Sequence, residues 1–192
     1  QDKTKLAYYV KPLNKIIEIG GTQQINAYFT TSKEIQTIDH ADLCWTADHG
    51  GSFFRATLKC TFIQNYNKKN NKNINISFTH RVGQMECKSD KYDVIKNSMG
   101  PAMNEGIMDI LHSDRKTCRP IFFFQNDDGS FAIKTHYDPS STEPIKNLVH
   151  TLTSNQIRLA ITGNLKFYAT MLGKVNMESS WCTWCQMSSK DW

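Results

Sequence analysis

The sequence predicts a mixed α/β fold whose sheet opens as an antiparallel meander of three strands and later crosses over through helices. Three observations predict it. Apolar residues alternate with polar ones across Phe54–Phe62 and Ile74–Phe78, apolar residues recur at helical spacing near 101–111 and 145–152, and a further apolar strand, "IRLAIT", follows at 157–162. At 192 residues the chain suffices for one principal domain.

The elements follow in order. Residues 1–41 are mixed, with "LNKIIEIGG" the clear apolar stretch and Gly20-Gly21 a stop signal, and read as a leader segment. "LCWTAD" from Leu43 is a short apolar strand and "HGG" a turn. "SFFRATLKCTFI" sets Phe54, Leu58, Cys60 and Phe62 against Arg55, Thr57, Lys59 and Thr61, the period of a half-buried strand. The Asn/Lys-rich tract Gln64–Asn73 reads as a solvated loop before the third strand at Ile74, Ile76 and Phe78. Pro101 suits a first helical position, and Met103, Ile107, Ile110 and Leu111 form an apolar face to pack on the sheet.

"PIFFFQNDDGSFAIKTHY" reads as a hairpin turning at Asn126–Gly129, an insertion at about 120–138. A second helix is expected from Pro144, capped by Thr142, with Ile145, Leu148, Val149 and Leu152 on one face. "IRLAIT" then ends at Gly163-Asn164, and Leu165, Tyr168 and Leu172 begin a last helix that Gly173 can close.

Charge and composition narrow the function. The balance of 23 basic to 18 acidic residues gives +5, which suits a polyanionic partner. No apolar run approaches the roughly 18 residues of a membrane helix. The first residues, Gln1-Asp2-Lys3-Thr4-Lys5, carry no secretory apolar segment and suggest a piece of a longer protein. Cys44, Cys60, Cys87 and Cys118 stand singly, so buried thiols in a reducing, intracellular setting are expected.

Two places carry chemistry. Asp48 precedes Gly50-Gly51 at a strand end, where an aspartate serves a turn or holds a ligand. Asn164 occupies a matching strand end 116 residues later, and in α/β sheets such ends collect ligands and metals. The second place is Trp181-Cys182-Thr183-Trp184-Cys185. Its Cys-x-x-Cys pair can supply two of the four ligands of a structural zinc, and the polar approach "GKVNMESS" favours metal over a redox dithiol. Further zinc ligands could be Cys87, Cys118 or His112, or residues beyond Trp192.

Asp48 with its Gly-Gly, the strand ending in "TGN-LKF", and Cys-x-x-Cys shortly after resemble the catalytic core of eukaryotic cut-and-paste DNA transposases, including the branch of the antigen-receptor recombinase. The likeness spans roughly residues 42–192. It implies an RNase H-like mixed sheet over 42–175 and a zinc-binding insertion opening at 176–192. It further implies Asp48 as the first of three carboxylates holding two Mg²⁺ or Mn²⁺ ions, and Cys182 and Cys185 as the first zinc ligands.

The chain departs from that pattern at Asn164, an amide at the second carboxylate position, and no candidate for the third, a Glu, precedes Trp192. Two-ion phosphoryl transfer needs hard anionic oxygen donors, so the amide should leave the site metal-poor. The implied function is a fragment of a metal-dependent DNA transposase or recombinase, inactive as it stands. The alternative is a zinc-stabilised DNA- or protein-binding domain derived from one. Arg55, Lys59 and Lys166 are candidate phosphate contacts. DNA as partner, a nuclear location and assembly with further copies are expectations of the same resemblance.

Overall fold

A computed structural model of the chain describes residues 8–64, 75–86, 94, 97–113, 117–137 and 147–162. Eight strands, three α-helices and one 3-10 turn (Ser154–Gln156) are described: β1 (Tyr8–Val10), α1 (Leu13–Tyr28), α2 (Ser32–Ile35), β2 (Ile38–Gly50), β3 (Phe53–Gln64), β4 (Asn75–Glu86), α3 (Gly100–Ile110), β5 (Ile121–Gln125), β6 (Phe131–Lys134), β7 (Leu148–Leu152) and β8 (Ile157–Thr162). The fold is mixed α/β. One sheet runs β1-β4-β3-β2-β8 and a second, smaller one β6-β5-β7.

The meander is present and longer than expected. Strands β2, β3 and β4 pair antiparallel in sequence order, and β8 joins the far side of β2 in parallel. Period-two alternation explains the register. Ala41, Leu43, Trp45 and Ala47 of β2, and Phe54, Ala56, Leu58, Cys60 and Phe62 of β3, are buried on one face. Between β2 and β3 the loop is only Gly51-Ser52, and Gly51 takes a positive φ of 62°, which a glycine adopts without a Cβ clash.

The segment expected to be a leader is built into the core. Leu13, Ile16, Ile17 and Ile25 of α1 are buried in the same cluster as the inner faces of β2 and β3, and β1 pairs with β4. Gly20 and Gly21 do not stop α1, which continues to Tyr28. They thin the helix where the core presses on it. A Cβ at Gly20 would lie 2.6 Å from the Phe78 ring, and one at Gly21 would lie 2.7 Å from Ile133 Cδ1 and 3.3 Å from the Phe62 ring.

Helix α3 forms at the place expected, with Met103 and Ile110 buried. Its partner is chiefly α1, since the Cβ position of Gly106 lies 3.4 Å from Leu13 Cγ. The hairpin also forms, β5 pairing with β6 across Asn126–Gly129. It is not a lone hairpin, because β7 adds to the other side of β5. That strand corrects the helix expected over 145–152. Leu148, Val149 and Leu152 do fall at helical spacing, but they belong to Leu148–Leu152, extended and antiparallel to Ile121–Phe124. The central run Val149-His150-Thr151 consists of poor helix formers, and an open edge on β5 offers a backbone partner that an isolated helix lacks. The Thr142 cap and Pro144, like the helix from Leu165, lie outside the described residues.

One helix stripe ties the two sheets together. Glu18, Thr22 and Asn26, four residues apart on α1, meet the outer edge of β6 and its continuation. Phe131 N–H donates to Asn26 Oδ1 at 2.7 Å, and Asn26 Nδ2 donates back to the Phe131 carbonyl at 2.7 Å. Ile133 N–H donates to Thr22 Oγ1 at 2.9 Å. Thr135 donates to Glu18 Oε1 from both its N–H and its hydroxyl, each at 3.0 Å. Lys15 Nζ closes the set on Glu18 Oε2 at 2.8 Å.

Burial pushes the Glu18 carboxyl up, but the donors from Lys15 and Thr135 outweigh it and hold the group below the usual glutamate value. A carboxyl depressed in the fold stabilises fully above the unfolded value, about 4.3, and that contribution is lost as pH falls through the folded value. Urea midpoints of the native chain and Glu18→Gln should therefore differ most at pH 6–7 and converge toward roughly pH 3. Gly20→Ala should lower stability by about 1–3 kcal/mol through overpacking against Phe78, even though alanine favours a helix by up to ~1 kcal/mol. Equilibrium urea unfolding at constant m-value checks it.

Candidate nucleic-acid interface

The face of the large sheet turned away from α1 is polar along most of its width. Alternation places Asp42, Cys44, Thr46 and Asp48 of β2 there, beside Arg55, Thr57, Lys59 and Thr61 of β3. Strand β4 adds Ser77, Thr79, Arg81, Gln84 and Glu86, and β8 adds Arg158, Ala160 and Thr162. Hydrogen bonds knit its middle. The Thr46 and Thr57 hydroxyls lie 2.5 Å apart, and Cys44 Sγ lies 3.2 Å from Thr162 Oγ1. Arg158 grips Asp42 with two donors, Nε to Oδ1 at 2.7 Å and Nη2 to Oδ2 at 3.2 Å. That pair is exposed, so its worth is geometric more than energetic.

Asp48 is a strand residue near the C-terminal end of β2, not a turn residue. It stands directly across from Arg55 and is exposed, while Arg55 is half-buried. Phe53 and Arg55 share this face, and the Arg55 guanidinium carbon lies 5.1 Å from the Phe53 ring centroid. Gly50 leaves room beside it, a Cβ there lying 3.8 Å from Arg55 Nη1. Among the described residues the buried Arg55 Nε has no hydrogen-bond partner. Lys59 is exposed between Cys44 and Thr79. The structure thus joins Asp48, Arg55 and Lys59 on one face. Asn164, Lys166, Cys182 and Cys185 lie outside the described residues.

The parallel ladder between β2 and β8 has a constant offset. It runs from Ala41 opposite Ile157 to Thr46 opposite Thr162, so each partner is 116 residues on. Positions 48 and 164 differ by the same 116.

Arg81 and Gln84 were not singled out in the sequence. Past Phe78 the alternation of β4 breaks at Val82-Gly83, both buried, where the register against β3 shifts between Ala56 and Thr57. Arg81, opposite Thr57, still follows the parity of Ser77 and Thr79, and the irregularity after it sets Gln84 opposite Arg55. Continued alternation through Ser77, Thr79 and Arg81 was the available signal for Arg81, and the break at Val82-Gly83 the one for Gln84.

The remaining candidates take structural roles. Cys60 is fully buried, and burial first and the Asp42 charge second push its thiol far above the ordinary range; burial also raises Cys118. Cys44, Cys60 and Cys118 are free thiols, and Cys87 lies outside the described residues. His112 lies 3.1 Å from Ser154 Oγ, and His150 Nε2 donates to the Ile38 carbonyl at 2.8 Å. Among the described residues no three metal-ligating side chains gather at one point; of the predicted metal ligands, Asp48, Cys118 and His112 can be placed. No described helix is long and apolar enough to cross a membrane. No family model matches the chain, and no curated protein or solved structure matches it either.

Alkylation of the native chain should modify half-buried Cys44 well ahead of Cys60 and Cys118, whose raised thiols hold little thiolate at pH 8. Time-resolved iodoacetamide labelling, mapped by peptide mass, reads the order.

Proposed function

We propose that the chain is a nucleic-acid-binding core of the RNase H-like transposase type, with Asp48 marking the first carboxylate position and Asn164 standing at the second. One observation carries the reading: the parallel register of β2 and β8 has the offset that separates 48 from 164. The described ladder closes with Thr46 opposite Thr162, near the C-terminal ends of two neighbouring parallel strands, the end of an α/β sheet where ligands collect. A meander of three strands followed by a parallel fourth against the first is the sheet order expected of that fold.

In the transposase reading two divalent ions, held by Asp48 and further carboxylates, would supply a polarised phosphodiester and an activated attacking oxygen. The work of this chain's own residues is different in kind. Arg55, over the Phe53 ring, and Lys59 present positive charge to a phosphate backbone, while the neutral amide of Asn164 contributes no charge to attract a dication. The amide favours binding without cleavage over an active nuclease. Zinc at Cys182 and Cys185, and assembly of more than one copy on DNA, belong to the same proposal.

Replacing the amide tests it. Asn164→Asp should bind Mn²⁺ at least about tenfold more tightly than the native chain, because a unit charge about 4 Å from a dication is worth ~2 kcal/mol even at the dielectric of water. Electron paramagnetic resonance titration of free Mn²⁺ measures both. Equal affinities would remove position 164 from any shared ion site with Asp48.

A further inference from the structure

We propose that Arg81 completes, with Arg55 and Lys59, a three-cation track for a nucleic-acid backbone across the polar face of the large sheet. The inference rests on the nucleic-acid reading above and assigns that face a contact that the sequence did not disclose. Arg55 and Lys59 lie on the same side of β3, four residues apart, and Arg81 stands opposite the residue midway between them, Thr57. Diagonal neighbours on a sheet are about 7–8 Å apart, so Arg81 is within a side chain's reach of both.

Two of the three cations are held in place. Arg81 Nη1 donates to Gln84 Oε1 at 3.0 Å, and Gln84 is the residue directly across from Arg55. The Arg81 guanidinium is therefore drawn toward the Arg55 end of the track, while Arg55 is stacked on Phe53. Drawing like charges together costs energy in the free protein, and an anion lying between them recovers it. Fixing the guanidinium groups beforehand also lowers the ordering cost of binding.

The carboxylates of this face lie around the track. Asp42 is taken up by Arg158, and Asp48 and Glu86 flank Arg55 at the hairpin end. Neither borders Arg81 or Lys59 in the register: Arg81 faces Thr57, and Lys59 lies between Cys44 and Thr79. The middle of the face is thus cationic and hydroxyl-rich, a surface for phosphate oxygens.

The experiment is binding of a fluorescein-labelled 20-base-pair DNA duplex by anisotropy between about 50 and 200 mM KCl, in EDTA, with each phosphate contact contributing roughly 0.9 to the slope of log K against log salt. Arg81→Ala and Lys59→Ala should each reduce the slope by about one and weaken binding equally for unrelated sequences, while Arg81→Lys should restore the slope. Urea midpoints within about 0.5 kcal/mol of the native chain confirm that the exposed Arg81 site leaves the fold intact. A native chain that binds with its slope unchanged in Arg81→Ala overturns the track and leaves the nucleic-acid reading standing. A native chain that does not bind at 50 mM KCl overturns both.

Discussion

Strand β6 is an edge whose backbone would otherwise face no partner, and the fold is organised around the way that edge is closed. Instead of another strand, the side chains of one helix stripe do it: Asn26, Thr22 and Glu18 receive the N–H groups of Phe131, Ile133 and Thr135 in turn. Helical rise of 1.5 Å over four residues is about 6 Å, and two residues of strand span nearly 7 Å, so the two repeats keep step over three contacts. Leaving a buried N–H unpaired costs about 1–3 kcal/mol, so these contacts fix the height and rotation of α1. The same helix buries Ile16, Ile17 and Ile25 against the large sheet. One element therefore sets the position of two sheets, and Phe62 meets Phe123 edge-to-face at 5.7 Å at their junction.

With the inner face of the large sheet committed to α1 and the small sheet, the outer face is free to be polar. Strand β2 is the hinge of this division. It is paired on both sides, antiparallel to β3 and parallel to β8, so its polar residues acquire neighbours from both strands. Thr46 meets Thr57 on one side, and Cys44 meets Thr162 on the other. A central strand with fixed neighbours cannot slip by one residue without turning Trp45 and Leu43 outward. Core packing thus dictates which way Asp48 points, and any chemistry at the C-terminal end of β2 inherits a rigid support.

Strands with one buried face were legible in the sequence because their alternation reports burial directly, as in Phe54–Phe62 and Ile157–Thr162. Helix α3 was legible for the same reason at a different period. The failures share a cause. Gly20-Gly21 carries the local signal of a helix stop, yet these glycines exist to admit Phe78, Phe62 and Ile133, residues more than 40 positions away. Leu148–Leu152 carries a helical spacing over too few residues to separate it from a strand, and the edge of β5 that captured it is set by tertiary structure. Of the candidate site, Asp48, Arg55 and Lys59 were legible because strand position and parity give the face; Arg81 keeps the parity of Ser77 and Thr79 but lies past Phe78, where the expected strand ended, and Gln84 was hidden by a bulge that changes parity.

The charge on that face bears on the proposed choice between gripping and cutting nucleic acid. Among the described residues it carries four cations, Arg55, Lys59, Arg81 and Arg158, and three carboxylates, Asp42, Asp48 and Glu86, for a formal sum of +4 − 3 = +1. A pair of divalent ions brings four positive charges, which carboxylate ligands must offset. Asp42 is already bound by Arg158, and Arg55 stands directly across from Asp48, so neither carboxylate meets a dication without a competing cation. The same balance favours a phosphate backbone, which brings negative charge to a surface already holding its cations in place. That balance supports the proposed phosphate contacts over a site for paired dications.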